Sequence, residues 1–134
     1  MKLLLDTQCW LWWFGEPGRL SEKAIQQIAD EENELWLSVA SIWEMGIKSV
    51  IGKLALPEPL ERYVGTRMGE LDAKPLEIRA AHAMRAAGLP LHHRDPFDRM
   101  LVAQAQLEGM KVVSADEMFR AYEVEVVWAG KAGI

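Results

Sequence analysis

Short apolar runs alternate along this chain with stretches in which apolar residues recur at helical spacing. The runs predict buried strands over residues 2–5, 35–39, 111–114 and 124–128, and a short edge strand is predicted over residues 71–74. Helical spacing predicts helices over residues 9–14, 21–29, 41–50, 60–68, 76–87 and from 95 or 96 to 107. Strands that alternate with helices indicate an α/β fold, in which a mostly parallel central sheet lies between helical layers.

Size and composition favour one globular domain over residues 1–134. Half of the residues are hydrophobic, and the sequence contains no repeat, charge block or Gly/Ser-rich tract. The one cysteine, Cys9, is interpreted as a small buried apolar residue, and the three histidines give no Cys/His zinc spacing. A chain with so little cysteine is typical of a reducing compartment, so we expect a cytoplasmic protein.

The net charge and the apolar start of the chain bear on whether the protein binds membranes or nucleic acids. Asp6 interrupts the apolar start, no small-residue cleavage site follows, and no stretch approaches the length of a membrane span, so we expect no membrane partner. The net charge of −5 argues against nucleic-acid binding by the chain as a whole. That argument weakens if bound metal neutralises some acids and if Lys48, Lys53, Arg94 and Arg99 form a local basic rim.

Four acids form the clearest functional pattern. Asp6, Glu44, Asp98 and Asp116 each lie where a predicted strand ends or a predicted helix begins. Ligands of an open α/β sheet collect outside the carboxyl ends of the strands, so we expect these carboxylates to share one pocket. Carboxylates that would otherwise repel one another suit a hard divalent ion such as Mg²⁺ or Mn²⁺, and that ion in turn suits phosphodiester chemistry.

Each acid also has a purely structural interpretation. Asp6 and Asp116 would cap the segments that follow them, and Asp95 is a good N-cap for the last long helix. Glu44 would pair with Lys48 across one turn of a solvated helix face. Taken singly, these interpretations are as good as the functional one. Four acids at one edge of the same sheet nevertheless favour a shared site over coincidence.

Neighbouring side chains add weaker predictions. Arg94 and Arg99 flank the start of the last long helix and are interpreted, together with Lys48, as phosphate-facing donors. His92 and His93 could aid substrate binding, although loop histidines are usually only solvated. No paired catalytic histidine is expected, because a metal ion would supply the proton chemistry.

Four segments carry a resemblance that covers nearly the whole chain: LLLDTQCWLWW, SVASIWEMGIKSVIGKLALP, LPLHHRDPFDRMLVAQA and KVVSADEMFRAYEVEVVW. With them the chain resembles the PIN-domain family, and within it the VapC-like toxins of bacterial and archaeal toxin–antitoxin pairs. The resemblance implies a PIN-like three-layer α/β/α sandwich and an endoribonuclease that depends on Mg²⁺ or Mn²⁺. It also implies structured RNA such as tRNA or rRNA as the substrate, an antitoxin partner that blocks the pocket, and a homodimer.

The resemblance assigns roles to particular residues. The matched positions are an acid set, Asp6, Glu44, Asp98 and Asp116 with Asp95 as a further acid, and two pocket hydroxyls, Thr7 and Ser114. This chain departs from the family by having Gln8-Cys9 where His-Ala is usual, and Ser114-Ala115-Asp116 where Thr-Arg-Asp is usual. The residues leave open whether Asp95 is a ligand or only a helix cap, and whether one or two metal ions bind.

Two other functions fit parts of the pattern. A protein-binding module with a silent acidic pocket is compatible with all of these features. A Mg²⁺-dependent phosphoacceptor or phosphatase domain would be expected to have paired acids or Asp-x-Asp at the first strand, whereas this chain has Asp6-Thr7-Gln8. The endoribonuclease is therefore the preferred hypothesis, and metal binding without turnover would favour the binding module.

Overall fold

A five-stranded parallel sheet forms the centre of the molecule in the computed structural model, which describes residues 1–131. Its strands are β1 Lys2–Leu5, β2 Glu34–Ser38, β3 Lys74–Leu76, β4 Lys111–Ser114 and β5 Val126–Trp128. They lie in the order β3-β2-β1-β4-β5, and each neighbouring pair is parallel. The predicted α/β fold with a parallel central sheet is confirmed.

Helices lie between the strands and pack on both faces of the sheet. They are α1 Thr7–Gly15, α2 Glu22–Ala29, α3 Val39–Val50, α4 Leu60–Leu71, α5 Ala80–Gly88 and α6 Pro96–Glu108, with short 3-10 turns at Pro17–Arg19 and Glu117–Ala121. Within residues 1–131, none of these helices combines the length and the apolar character needed to cross a membrane.

The two faces of β1 belong to different hydrophobic clusters. Leu3 and Leu5 are fully buried in a cluster that includes Trp10 of α1, whereas Leu4 is fully buried in a second cluster with Leu101 of α6. Because successive side chains alternate across a strand, an unbroken apolar run fits a strand that is covered on both faces. The three leucines therefore make β1 a rigid support for the residue that follows it.

One strand and one helix lie later in the chain than the sequence pattern predicts. The predicted edge strand is present, but it spans Lys74–Leu76 rather than residues 71–74, because α4 continues to Leu71 and ends at Asp72, whose φ of 52° is left-handed. Strand β3 follows and buries Leu76 beside β2, so α5 begins at Ala80 rather than at residue 76. Pairing with β2 and burial of this leucine outweigh the helical spacing of the segment.

The order of the strands places a crevice between β1 and β4. The chain leaves β1 toward β2 on one side, while β4 lies on the other side, and such a reversal of strand order opens a binding crevice at the carboxyl ends. Asp6 follows β1 directly and donates its backbone N–H to Val113 of β4 at 3.0 Å. Ser114 ends β4, with Asp116 two residues later. Two of the predicted site acids therefore flank this crevice.

Candidate active site

A cavity of about 410 Å³ opens at the crevice between β1 and β4. All five acids predicted for the site line it, together with two lysines and one of the predicted hydroxyls: Asp6, Glu44, Asp95, Asp98, Asp116, Lys48, Lys53 and Thr7. Residues from four separate stretches of the chain thus meet at one edge of the sheet. The expectation that the acids share one pocket is met, while their catalytic roles stay predictions.

Asp6 is both a helix cap and a site residue. Its Oδ1 accepts the backbone N–H of Cys9 at 2.7 Å, which caps α1, and its Oδ2 accepts the hydroxyl of Ser114. Burial raises the pKa of Asp6, and the hydrogen bonds from Ser114 and Cys9 oppose that rise. The two interpretations of this residue are therefore compatible, because capping holds the carboxylate in a fixed position at the pocket.

Glu44 pairs with Lys48, as the structural interpretation predicts, but it does not lie on a solvated face. Only 5% of Glu44 is exposed. Thr7 Oγ1 donates to its Oε1 at 2.6 Å and Lys48 Nζ donates to its Oε2 at 2.8 Å. The hydrogen bond to Glu44 raises the pKa of Lys48. The charge of this buried glutamate is thus offset by a lysine at the pocket rim.

Asp95 and Asp98 stand together at the start of α6. Asp95 Oδ1 accepts the backbone N–H groups of Phe97 at 2.8 Å and of Asp98 at 3.3 Å, so it caps the helix as predicted. Burial raises the pKa of Asp98 to about 7, and repulsion from Asp95 adds to the rise. The raised pKa means that the surroundings compensate the negative charge of ionised Asp98 poorly. A bound cation would compensate that charge.

The sequence predicts only a weak role in substrate binding for His93, whereas the structure places its ring against two of the site acids. Its Nε2 lies 2.7 Å from Asp98 Oδ2 and 3.4 Å from Asp116 Oδ2. The structure thus places a histidine against two of the acids, while the expectation that no paired histidine serves in catalysis stays a prediction. A loop histidine leaves no periodic pattern in the sequence that would place it beside Asp98. The only local indication was Asp95, two residues further along the chain. Tertiary structure alone brings the ring to Asp116, which is 23 residues away in the chain.

Asp116 and Ser114 connect the end of β4 to the start of β1. Ser114 is fully buried; its hydroxyl donates to Asp6 and accepts the backbone N–H of Asp116 at 3.0 Å. Asp116 Oδ1 accepts the backbone N–H of Met118 at 2.9 Å, and its Oδ2 faces His93. One hydroxyl thus ties two acids that are 110 residues apart into a fixed arrangement.

The two arginines predicted to face phosphate lie outside the cavity lining. Arg99 Nη2 donates to the carbonyl groups of Ala86 and Leu89, and Nη1 donates to that of Pro90, each at 2.9 Å. The guanidinium of Arg99 is therefore engaged by backbone at the end of α5, which indicates a structural role, while its contact with RNA stays a prediction. Arg94 is exposed and outside the cavity lining, while Lys48 and Lys53 are the lysines at the rim.

The donor groups fit a divalent metal ion. One ligand atom each from His93, Asp98 and Asp116 lies within 4.8 Å of the other two, so these three side chains could hold a metal ion. Asp6 adds a buried carboxylate to the same cavity. Carboxylate oxygens suit hard ions such as Mg²⁺ and Mn²⁺, and one imidazole nitrogen is compatible with transition ions.

Removing the charge of Asp98 should stabilise the metal-free protein above neutral pH. The folded chain favours the neutral carboxyl, so wild-type stability should fall as the pH rises from the usual carboxyl pKa of 3.8 toward about 7, and then level off. Asp98→Asn should therefore exceed wild type in melting temperature most clearly at pH 8, in the presence of a chelator. Melting curves at pH 5, 6, 7 and 8 measure this. A difference in melting temperature between the two proteins that stays constant across the series would contradict this prediction.

The fold and the site define an α/β protein with an acidic pocket at the point where the strand order of a parallel sheet reverses. The family model described as PIN domain matches residues 3–125. The chain therefore belongs to the PIN-domain family.

Two curated relatives share sequence with this chain, and both come from Mycobacterium tuberculosis (strain ATCC 25618 / H37Rv). Ribonuclease VapC16 is 38% identical over 78 residues, which cover 54% of this chain and 55% of that protein. Ribonuclease VapC22 is 29% identical over 121 residues, which cover 90% of this chain and 91% of that protein. The match to VapC16 thus spans about half of that relative, whereas the match to VapC22 is nearly full length.

A solved structure, that of VapBC2 from Rickettsia felis bound to a DNA fragment from their promoter, has the same fold. It superposes with a TM-score of 0.70 over 96% of this chain and 99% of that chain, at 11% sequence identity. At that identity the likeness concerns the fold alone. It confirms the PIN-like three-layer architecture implied by the sequence.

Proposed function

We propose that this protein is a metal-dependent endoribonuclease that acts as the toxin of a VapBC-type toxin–antitoxin pair. The observation that carries the proposal is the convergence of Asp6, Asp98 and Asp116 in one cavity, where burial and mutual repulsion raise the pKa of Asp98 to about 7. Membership of the PIN-domain family and the two relatives named ribonuclease support it. The proposed substrate is structured RNA such as tRNA or rRNA.

The proposed cofactor is Mg²⁺ or Mn²⁺, held by Asp6, Glu44, Asp98 and Asp116. When bound, such an ion supplies an activated water and stabilises charge on the phosphate. The protein contributes rigid carboxylates, since Asp6 is fixed by Ser114 and by the start of α1. Lys48 and Lys53 stand at the rim, where their charges attract the RNA backbone toward an otherwise acidic pocket.

Cleavage of tRNA and total RNA by the purified protein tests this function. We expect discrete cuts in the presence of Mg²⁺ or Mn²⁺ and complete loss of cleavage with excess EDTA, because the carboxylates alone provide no electrophile. Restoration by added Mn²⁺ serves as the control for irreversible damage. Metal binding without any cleavage, in protein free of antitoxin, would favour a protein-binding module with a silent pocket, and cleavage that survives EDTA would rule out metal dependence.

The proposed partner is an antitoxin that occupies a groove continuous with the acidic cavity. A neighbouring cavity of about 250 Å³ lies between α1 and α4, is lined by Trp12, Tyr63 and Arg67, and shares Gln8 and Leu11 with the acidic cavity. A segment lying in this groove would reach the carboxylates with its end. The acidic pocket favours a basic side chain there, so charge complementarity supports a cationic antitoxin segment.

We also propose a homodimer, formed through the α3 apolar face, which consists of Trp43, Ile47, Val50 and Ile51. The exposed fractions of Trp43 and Val50 are 63% and 88%, and the face borders an apolar cavity of about 690 Å³. Contiguous exposed apolar surface of this kind marks interaction sites. The same proposal takes residues 1–134 as one domain, since the five strands form one sheet, and it places the protein in the cytoplasm.

Val50→Glu is expected to convert the dimer to a monomer of 15.2 kDa, because it would bury a charge without a partner at the proposed interface. Sedimentation equilibrium at several concentrations gives the molar mass. Ile78→Glu provides a matched control, since Ile78 is also partly exposed but lies outside the α3 apolar face. Equal masses for wild type and Val50→Glu would contradict the assignment of this face.

A further inference from the structure

The position of His93 suggests a role that the family resemblance does not assign. Nε2 of the ring lies 2.7 Å from Asp98 Oδ2 and 3.4 Å from Asp116 Oδ2, so it faces two of the acids at once. Nε2 binds a metal ion only without its proton, so a bound ion would replace this proton between the two carboxylates, and the remaining ring proton would lie on Nδ1. Without a metal ion, Nδ1 accepts the backbone N–H of Asp95 in a long contact of 3.5 Å, which this change of tautomer would break. The ring therefore has one strongly engaged nitrogen, and that nitrogen points at the acids.

The loop that carries His93 is held by several polar contacts. The backbone N–H of His93 donates to Tyr122 Oη at 2.9 Å, and Tyr122 Oη donates to the carbonyl of Pro90 at 2.8 Å. Arg99 donates to the same Pro90 carbonyl at 2.9 Å. The His93 side chain is only 20% exposed. These contacts fix the loop backbone that carries the ring, and a ligand on a fixed backbone keeps its position at a metal site.

Glu44 differs from Asp98 and Asp116 in the charged partners that surround it. Glu44 already has Lys48 and the Thr7 hydroxyl as partners, so its charge is compensated within the protein. Within residues 1–131 neither Asp98 nor Asp116 forms a salt bridge with a lysine, although the charge of Asp98 contributes to the raised pKa of Lys48. The ligand atoms of His93 and these two acids lie within 4.8 Å of one another. The compact group of possible metal ligands formed with Asp98 and Asp116, which line the acidic cavity, therefore includes a nitrogen donor.

We propose that His93 is a direct ligand of the divalent metal ion, together with Asp98 and Asp116, and that it makes the site favour Mn²⁺ over Mg²⁺. The inference rests on the metal dependence in the proposed function. An imidazole nitrogen is a better ligand for transition ions than for Mg²⁺, which strongly prefers oxygen. His93 thereby becomes a determinant of metal choice.

Pulsed electron paramagnetic resonance of the full-length protein loaded with Mn²⁺ tests this inference. We expect nitrogen-14 modulation from a coordinated imidazole in wild type and its loss in His93→Asn. His92→Asn is the matched control, because His92 is the neighbouring loop histidine and its ring packs edge-on against Tyr122 at 5.2 Å. The Mn²⁺ dissociation constant of His93→Asn should rise by about tenfold or more, while that for Mg²⁺ should change much less.

Each outcome separates this inference from the proposed function. Mn²⁺ bound by wild type without nitrogen modulation, or with modulation that persists in His93→Asn, would overturn the role of His93 and leave the metal-dependent ribonuclease intact. Wild type that binds no Mn²⁺ would overturn both. If His93→Asn folds poorly, a wild-type spectrum without nitrogen modulation still overturns the role of His93. Imidazole modulation that persists in both His92→Asn and His82→Asn still assigns it to His93, since the chain has only three histidines.

Discussion

Asp6→Asn is expected to reduce RNA cleavage to below about one hundredth of the wild-type rate while leaving the fold intact. The loss follows from replacing a charged oxygen donor at the pocket by a neutral amide. The fold should survive because Asn is as good an N-cap as Asp, so its Oδ1 can still accept the backbone N–H of Cys9. Ser114 can rotate its hydroxyl to accept from the new amide. Rates on tRNA with Mn²⁺, measured beside melting curves, check both statements.

Asp72→Asn is the matched control for this variant. Asp72 is exposed at the end of α4 and outside the lining of the acidic cavity, and Asn tolerates its left-handed conformation. Its cleavage rate should equal that of wild type. Identical purification of all three proteins excludes contaminating host nuclease as the source of cleavage. Activity of Asp6→Asn within a few-fold of wild type would remove Asp6 from the proposed metal-holding set.

Arg99→Lys is expected to lower the free energy of unfolding by about 2–4 kcal/mol. The planar guanidinium spans carbonyl groups of Ala86, Leu89 and Pro90, and a compact ammonium on a flexible stem cannot reproduce that fork. The carbonyl groups at the end of α5 would lose charged donors, although the net charge is unchanged. Urea denaturation of wild type and variant measures the difference.

Arg94→Lys is the matched control for Arg99→Lys. Both arginines lie near the start of α6, but Arg94 is exposed, so its conservative replacement should change the unfolding free energy by no more than about 0.5 kcal/mol. Equal destabilisation by the two changes would contradict the structural role of Arg99. If instead only RNA affinity fell in Arg99→Lys, with stability unchanged, the original phosphate-facing interpretation would be restored.

Much of the fold follows from local sequence features. The run of three leucines before Asp6 predicts a strand buried on both faces, and β1 is such a strand. Asp95 and Pro96 predict the start of α6 because a side-chain cap and a residue without a backbone N–H suit a helix N-terminus. Residues 71–76 were predicted wrongly, because their choice between strand and helix depends on pairing with β2, and that pairing is not encoded locally.

The sequence by itself determined the alternation of strands and helices and the acids at their ends, because burial period, capping and turn chemistry act between near neighbours. Only the tertiary structure decided which side chains meet. It brought His93 to Asp98 and Asp116, turned Arg99 toward backbone, and offset Glu44 with Lys48 inside a buried cavity. These outcomes depend on the order in which strands pair and on how helices pack across the sheet, and contacts between distant residues leave no periodic trace in a single sequence.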